Sequence, residues 1–384
     1  MPQKQELTQS SRIVWIDVLR LIAILMVICV HCSDPFNVSV EARSNPEFNF
    51  WGSIYGSFLR PCVPIFVMIT GVLLLPINEG IGSFYKKRLL RIVIPFLIWS
   101  IIYNLFPWIA GCLGFPSTSL SEFFAYASPN ASQSLEDALK NIVLIPFTFS
   151  VYTIPMWYLY MLIGLYLYMP FFSAWVEQAT IRMKKAYLGI WFISLFLPYA
   201  YAFFSKDLFG LSAWNAFGTF YYFAGFNGYL LLGNYLSRDS NSESWKKSLG
   251  IYIPLFFIGY IATYWGFKVM TAAPTCSEQE MELFFLYCSP NVACMTIALF
   301  QIVSRIRINA PLLTRILSNI TKCGLGIYLL HYFIVGLGYS VAEALAIPIP
   351  VRIPALAAMV FLACWGCVAL SYKLSPRASK WIFG

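Results

Sequence analysis

The chain is patterned as long apolar runs separated by short polar intervals. Ten of these runs reach the ~18 residues or more that a membrane-spanning helix requires. They fall at roughly 13–31, 52–75, 92–112, 154–174, 187–204, 216–236, 248–268, 284–303, 319–340 and 353–372. At ~1.5 Å rise per residue, runs of this length cross about 30 Å of hydrocarbon. The segment Leu139–Phe149 is apolar but too short to cross, so it is expected to lie at the interface or to re-enter. The longest polar interval, roughly 113–138, holds the stretch SPNASQS and reads as an outer loop. No soluble domain is appended, and no internal repeat points to the inverted halves of a transporter. The pattern predicts one all-α, polytopic membrane domain over residues 1–384.

Composition agrees. Of 384 residues, 59% are hydrophobic and 11% charged, whereas soluble domains carry roughly 25% charged residues. Such a chain cannot cover a water-exposed surface of ordinary polarity, and lipid must take that role. The 26 Lys and Arg are distributed unevenly. Five fall in one set of loops (Arg43, Lys140, Lys206, Lys268 and Arg352), Arg20 and Arg60 lie within spans, and the rest cluster on the opposite side. The positive-inside rule makes that side, with both termini, cytoplasmic. The net charge of +9 is then mostly topological bias and does not indicate nucleic acid. The polar lead MPQKQELTQSSR, with no small-residue cleavage site after the first span, favours a retained helix over a signal peptide.

The ten cysteines lack metal-ligand spacing and read mostly as small apolar filler. Cys32 and Cys276 share the outer side and are the one pair a disulfide could join. The sequons at Asn37, Asn130 and Asn319 carry no weight, being short patterns of high chance frequency. Walker, GxSxG and HExxH motifs are absent.

Ionisable groups within spans are costly and therefore mark candidate function. The first run, WIDVLRLIAILMVICVH, holds Asp17, Arg20 and His31. Asp17 and Arg20 are adjacent on one helical face, as a catalytic pair or as a juxtamembrane anchor. Arg20 and His31, eleven residues apart, share a face about 16 Å apart along the axis. His31 also fits a plain interfacial histidine at the outer end. The second run carries Arg60 in FLRPCVPIFVMITG, where Pro61 and Pro64 interrupt the hydrogen-bond ladder beside a buried cation. Snorkelling toward the outer interface is the competing account of Arg60. Arg88 and Arg91, at i, i+3 in YKKRLLRIVIP, suit a phosphate-bearing ligand, although positive-inside topology alone would also place them there. His331 lies in ITKCGLGIYLLHYFIV, where Gly324 and Gly326 permit close helix approach, and a packed core histidine is the alternative.

Taken in order, these residues resemble the acyltransferase-3 superfamily of bacterial membrane O-acyltransferases. The likeness is nearest to the branch typified by the enterobacterial common antigen O-acetyltransferase. It rests on WIDVLR with Arg20 and His31, on RPCVPIFVMITG from Arg60 to Gly71, and on the pair Arg88 and Arg91. The segment Trp157, Tyr158, Leu159 and the stretch GLGIYLLH ending at His331 complete it. Thr70, Val67 and Cys323 depart from the usual Ser, Phe and Ser. The resemblance implies an enzyme of the bacterial inner membrane that moves an acyl group, by default acetyl, from cytoplasmic acyl-CoA to a hydroxyl. The implied acceptor is a saccharide or lipid-linked glycan, and no metal is required. It implies that Lys87, Arg88 and Arg91 grip the CoA phosphates, with Arg20 below them, and that the donor threads along the first helix. His31 becomes general base or transient acyl carrier. Asp34 orients its ring or is an ordinary loop acid, and Arg60 stabilises the oxyanion or holds the acceptor. Asp17, Trp157 and His331 are supporting. A transporter or flippase for saccharides or lipid-linked glycans would share the helices, the buried Arg and His and the 33 Phe, 24 Tyr and 12 Trp. A donor site is what separates the two.

Overall fold

The computed structural model describes residues 14–37, 42, 44–114, 133–204, 218–239, 245–273 and 276–384. The polar lead, Arg43, Lys206, Asn130 and most of SPNASQS lie outside the described residues. Every regular element among the described residues is helical. The chain runs through α1 (Val14–Ser33), α2 (Pro46–Leu59), α3 (Cys62–Leu74) and α4 (Leu90–Cys112). It continues through α5 (Leu135–Leu144), α6 (Trp157–Gln178), α7 (Ile181–Ser194), α8 (Asn227–Asp239) and α9 (Trp245–Ala272). The last elements are α10 (Pro290–Val303), α11 (Pro311–Ala344), α12 (Ile349–Leu374) and the short α13 (Pro376–Ile382).

Nine helical segments among the described residues are long and apolar enough to cross a membrane. They match nine of the ten predicted runs. The tenth, 216–236, takes a different form. Its described residues make a 3-10 turn, Gly218–Phe220, irregular backbone, and then α8, whose 13 residues extend only about 20 Å. Non-helical backbone at depth requires polar partners from the protein. Trp191 Nε1 supplies one by donating to the Gly225 carbonyl at 2.9 Å, and Asn227 Nδ2 donates to the Tyr187 hydroxyl at 2.8 Å. Tyr229, Leu230 and Leu231 are fully buried, so α8 belongs to the interior.

Helix α1 is central, packing on α11, α12, α3 and α2. The second predicted run divides at Arg60–Pro61, between α2 and α3. Pro61 and Pro64 lack the N–H groups a continuous helix needs there, and Arg60 Nε turns back to donate to the Gly56 carbonyl of α2 at 3.1 Å. Helix α5 takes in the first half of the short apolar segment, and 145–150 leave it as turn and irregular backbone. It is capped by Ser134, whose Oγ accepts from Asp137 N at 3.0 Å, and it leaves Leu139 and Val143 exposed. No disulfide joins Cys32 to Cys276. Cys32 packs where α1 meets α11 and α12, and Cys276 packs beside Phe267, Met281 and Phe285.

Two glycines set helix approach. A Cβ on Gly71 would stand 2.0 Å from the Leu230 carbonyl oxygen of α8, and one on Gly326 would stand 2.9 Å from Phe383 Cβ. Gly71→Ala is therefore expected to cost about 1–3 kcal/mol of overpacking, read as a lower melting temperature in detergent. Gly80→Ala, with nothing within 4 Å of its Cβ, should melt with the wild type. Equal melting of the two variants would show that α3 and α8 do not depend on this contact.

Candidate active site

His31 occupies the last turn of α1. Its Nδ1 lies 2.9 Å from Asp34 Oδ2, on the 3-10 turn Asp34–Phe36 that follows directly. An ionised carboxylate only accepts, so Nδ1–H donates and the Nε2 lone pair is left for chemistry. The carbonyls ending a helix have no partner within it. Here Tyr339 of α11 donates to them, to His31 O at 3.1 Å and also to Cys32 O. That fixes both the backbone and the ring of His31.

Around the imidazole is a cavity of about 30 Å³, lined by His31, Cys62, Trp157, Tyr158, Tyr287 and Tyr328. A water needs about 10–15 Å³. The space therefore admits a water or a small acyl end, and a sugar ring does not fit in this conformation. Trp157 forms part of the wall and stacks on Tyr287, with centroids 5.4 Å apart and planes at 20°. Trp157 is presented there because the 3-10 segment Val151–Met156 turns the chain into α6. That segment is closed by a capping box between Ser150 and Thr153 and tied to α11 by a hydrogen bond from Tyr328 Oη to the Pro155 carbonyl. His331 lies behind His31, with ring centroids 5.2 Å apart. It is fully buried, its Nδ1 bonds the Tyr328 carbonyl, and its Nε2 has no hydrogen-bond partner.

Arg60 is 6% exposed and does not snorkel. Its guanidinium carbon sits 4.0 Å above the Phe285 ring. A desolvated cation–π contact contributes about 2 kcal/mol, against roughly 2.5–3.5 kcal/mol for placing Arg at the centre of a membrane helix. The balance is not closed, and Nη2 of Arg60 is buried without a hydrogen-bond partner. Tyr287 connects this cation to the histidine wall, since Arg60 and Asp34 both act electrostatically on its hydroxyl.

At the opposite end of α1, Asp17 Oδ1 accepts from Thr321 Oγ1 at 2.9 Å and lies 3.8 Å from Arg20 Nη1. Arg88 lies in a π turn, Tyr85–Leu89, and Arg91 in the α-helix that follows. Arg91 lines an open groove of about 610 Å³ with Lys86 and Lys87, while Arg88 lies off it with Nε buried and unbonded. Arg88, Arg20 and Arg91 all act electrostatically on Tyr166 of α6. Lys87 Nζ donates to Glu79 Oε2 at 2.7 Å, and with Ser83 it holds that exposed carboxyl below its ordinary range. The site's tyrosines were not separable beforehand from 24 ordinary ones. The groove residues Lys322, Arg377 and Lys380 had read only as topological charge.

The described residues thus hold a half-buried histidine contacting a carboxylate, a buried arginine with an unbonded nitrogen, and a separate cationic groove lined by Lys86, Arg91, Lys322, Arg377 and Lys380. The model of the acyltransferase domain family matches residues 13–372, and the chain belongs to this acyltransferase-3 family. It is a membrane acyltransferase, with a hydroxyl as the acceptor. No curated protein and no solved structure matches the chain.

Replacing the orienting group tests the arrangement. Asp34→Asn can still hydrogen-bond the ring but no longer dictates its tautomer, so turnover should fall about 10–100-fold with melting unchanged. Wild-type turnover in that variant would remove Asp34 from the site.

Proposed function

We propose that the enzyme moves an acyl group, acetyl by default, from cytoplasmic acyl-CoA to a hydroxyl of a cell-envelope saccharide or lipid-linked glycan. The observation that carries this reading is the His31–Asp34 contact, a tautomer-fixed imidazole in a closed pocket, standing about 16 Å along α1 from Arg20. That length is comparable to an extended pantetheine arm. A donor held by its phosphates at the basic end would bring its thioester to the histidine.

His31 Nε2 takes the proton as the acceptor oxygen attacks the thioester carbonyl. The tetrahedral intermediate places negative charge on the former carbonyl oxygen, and the unpaired Arg60 Nη2 is the cation available to meet it. Collapse breaks the C–S bond. The proton held on Nε2 passes to the leaving thiolate, so ester and thiol form with no net proton change. Asp34 stays ionised and stabilises the imidazolium that exists between the two transfers. The small cavity excludes bulk water, which would otherwise hydrolyse the thioester. Positive-inside topology puts the donor on the cytoplasmic side and His31 in the outer half, where an envelope glycan would arrive.

His31→Ala should lower turnover by about 10²–10⁴-fold and leave acetyl-CoA binding, measured by calorimetry on the detergent-solubilised protein, within experimental error. Near-normal turnover would take His31 out of the chemistry. Failure of the wild type to bind acetyl-, succinyl- or longer acyl-CoA while folded would sink the donor assignment.

A further inference from the structure

The family match ends at residue 372, yet the cationic groove is completed by residues beyond it. Helix α13 carries Arg377, Lys380 and Trp381, spaced to share one face. All three are exposed and line the groove opposite Lys86 and Arg91. The other side of α13 is docked. Ser379 is fully buried, with its Oγ 2.8 Å from Ser371 Oγ, and Trp99 Nε1 donates to the Ile382 carbonyl at 2.9 Å. Arg91 Nε donates to Gly384 O at 3.1 Å, and Phe383 lies against Gly326. The three exposed side chains are thus held over the groove by a fixed support. Lys322 of α11 adds a further cation, its Nζ 4.5 Å above the Tyr372 ring.

We infer that this groove is the seat of the phosphorylated nucleotide end of the donor, and that α13, outside the family region, supplies its phosphate contacts and an aromatic platform. The assignment rests on the acyl-CoA reading above and deepens it. Six Lys and Arg line the groove together with Gly384, and no Asp or Glu side chain does. Of these, Lys87 is already paired with Glu79 and Arg91 Nε is engaged by Gly384 O, which leaves Lys86, Lys322, Arg377 and Lys380 as the principal phosphate ligands. Coenzyme A presents a 3′-phosphate and a diphosphate, multiple charges that match a convergent set of this size better than one phospholipid headgroup does. Trp381, 59% exposed, offers a face for the adenine. The groove's ~610 Å³ lies within the range of small-molecule sites.

The test is calorimetric titration of adenosine 3′,5′-bisphosphate, which lacks the pantetheine and thioester, into the full chain in zwitterionic-lipid nanodiscs. The wild type should bind it, and Arg377→Ala/Lys380→Ala should weaken binding about tenfold or more through lost charge-assisted contacts. Arg377→Lys/Lys380→Arg should restore most of it. Lys373→Ala, which removes an exposed cation outside the groove, should bind as the wild type does. Equal affinity in the double alanine variant and the wild type would overturn the role of α13 while leaving the donor reading intact. Binding of neither the bisphosphate nor acetyl-CoA by the folded wild type would overturn both. Retention of anionic phospholipid that the double variant loses, with no bisphosphate binding to either protein, would make the groove a lipid seat and overturn the nucleotide assignment.

Discussion

Helix α1 carries a carboxylate, a guanidinium and an imidazole through a medium that cannot solvate them, and α11 makes this tolerable. Thr321 near the start of α11 donates to Asp17, and Tyr339 near its end donates to the last carbonyls of α1. Between them the His331 ring lies tilted against His31, with centroids 5.2 Å apart. An unsatisfied buried polar group costs about 1–3 kcal/mol, more if charged, so these contacts fix the register of one helix on the other. Asp34 can then meet His31 Nδ1 because α1 ends where it does. The neighbouring helices pack against a pair whose alignment is set by polar chemistry, since lipid tails are as apolar as any core and give helices little reason to choose one register over another.

Where that internal accounting stays open lie the groups that the proposed mechanism uses. Arg60 has one backbone acceptor and one aromatic face, with Nη2 left over. His31 has Asp34 on one nitrogen and the cavity beside it. The prolines that divide α2 from α3 place the first of these groups, and the end of α1 places the second. Both are therefore held by backbone geometry, which costs little reorganisation when charge develops.

Much of this was legible in the residues. Nine spans and the break at Arg60–Pro61 follow from hydropathy and proline chemistry, and the reach of Asp34 to His31 from their three-residue spacing. Three features were not legible, each for a physical reason. Residues 216–236 are apolar enough to span, and hydropathy cannot distinguish burial in protein from burial in lipid; the close seat of Leu230 on Gly71 is a tertiary fact. Arg88 and Arg91 have the spacing of one helical face, yet only Arg91 lines the groove, and the π turn that holds Arg88 has no signature in composition. The tyrosines of the histidine wall come from α6, α11 and the approach to α10, and nothing local distinguishes them from their many counterparts.

The two ends of α1 also divide the thermodynamic work. The open cationic groove can bind charge without burying it, so its contacts contribute affinity at modest desolvation cost. The His31 cavity is small and walled largely by protein, so the same kinds of contact there act at lower effective dielectric and are worth more when charge appears. A donor spanning both would be bound mainly where it is not reacting, and the energy of that remote grip would be available to hold the thioester in the small cavity. The acceptor has no comparable handle at the basic end. With about 30 Å³ beside His31, its hydroxyl can reach the carbonyl only if the aromatic wall of Trp157, Tyr287 and Tyr328 parts. On the proposed reading, opening of that wall would be a step of the acyl transfer, and the hydrogen bond from Tyr328 to the Pro155 carbonyl would be among the contacts that resist it.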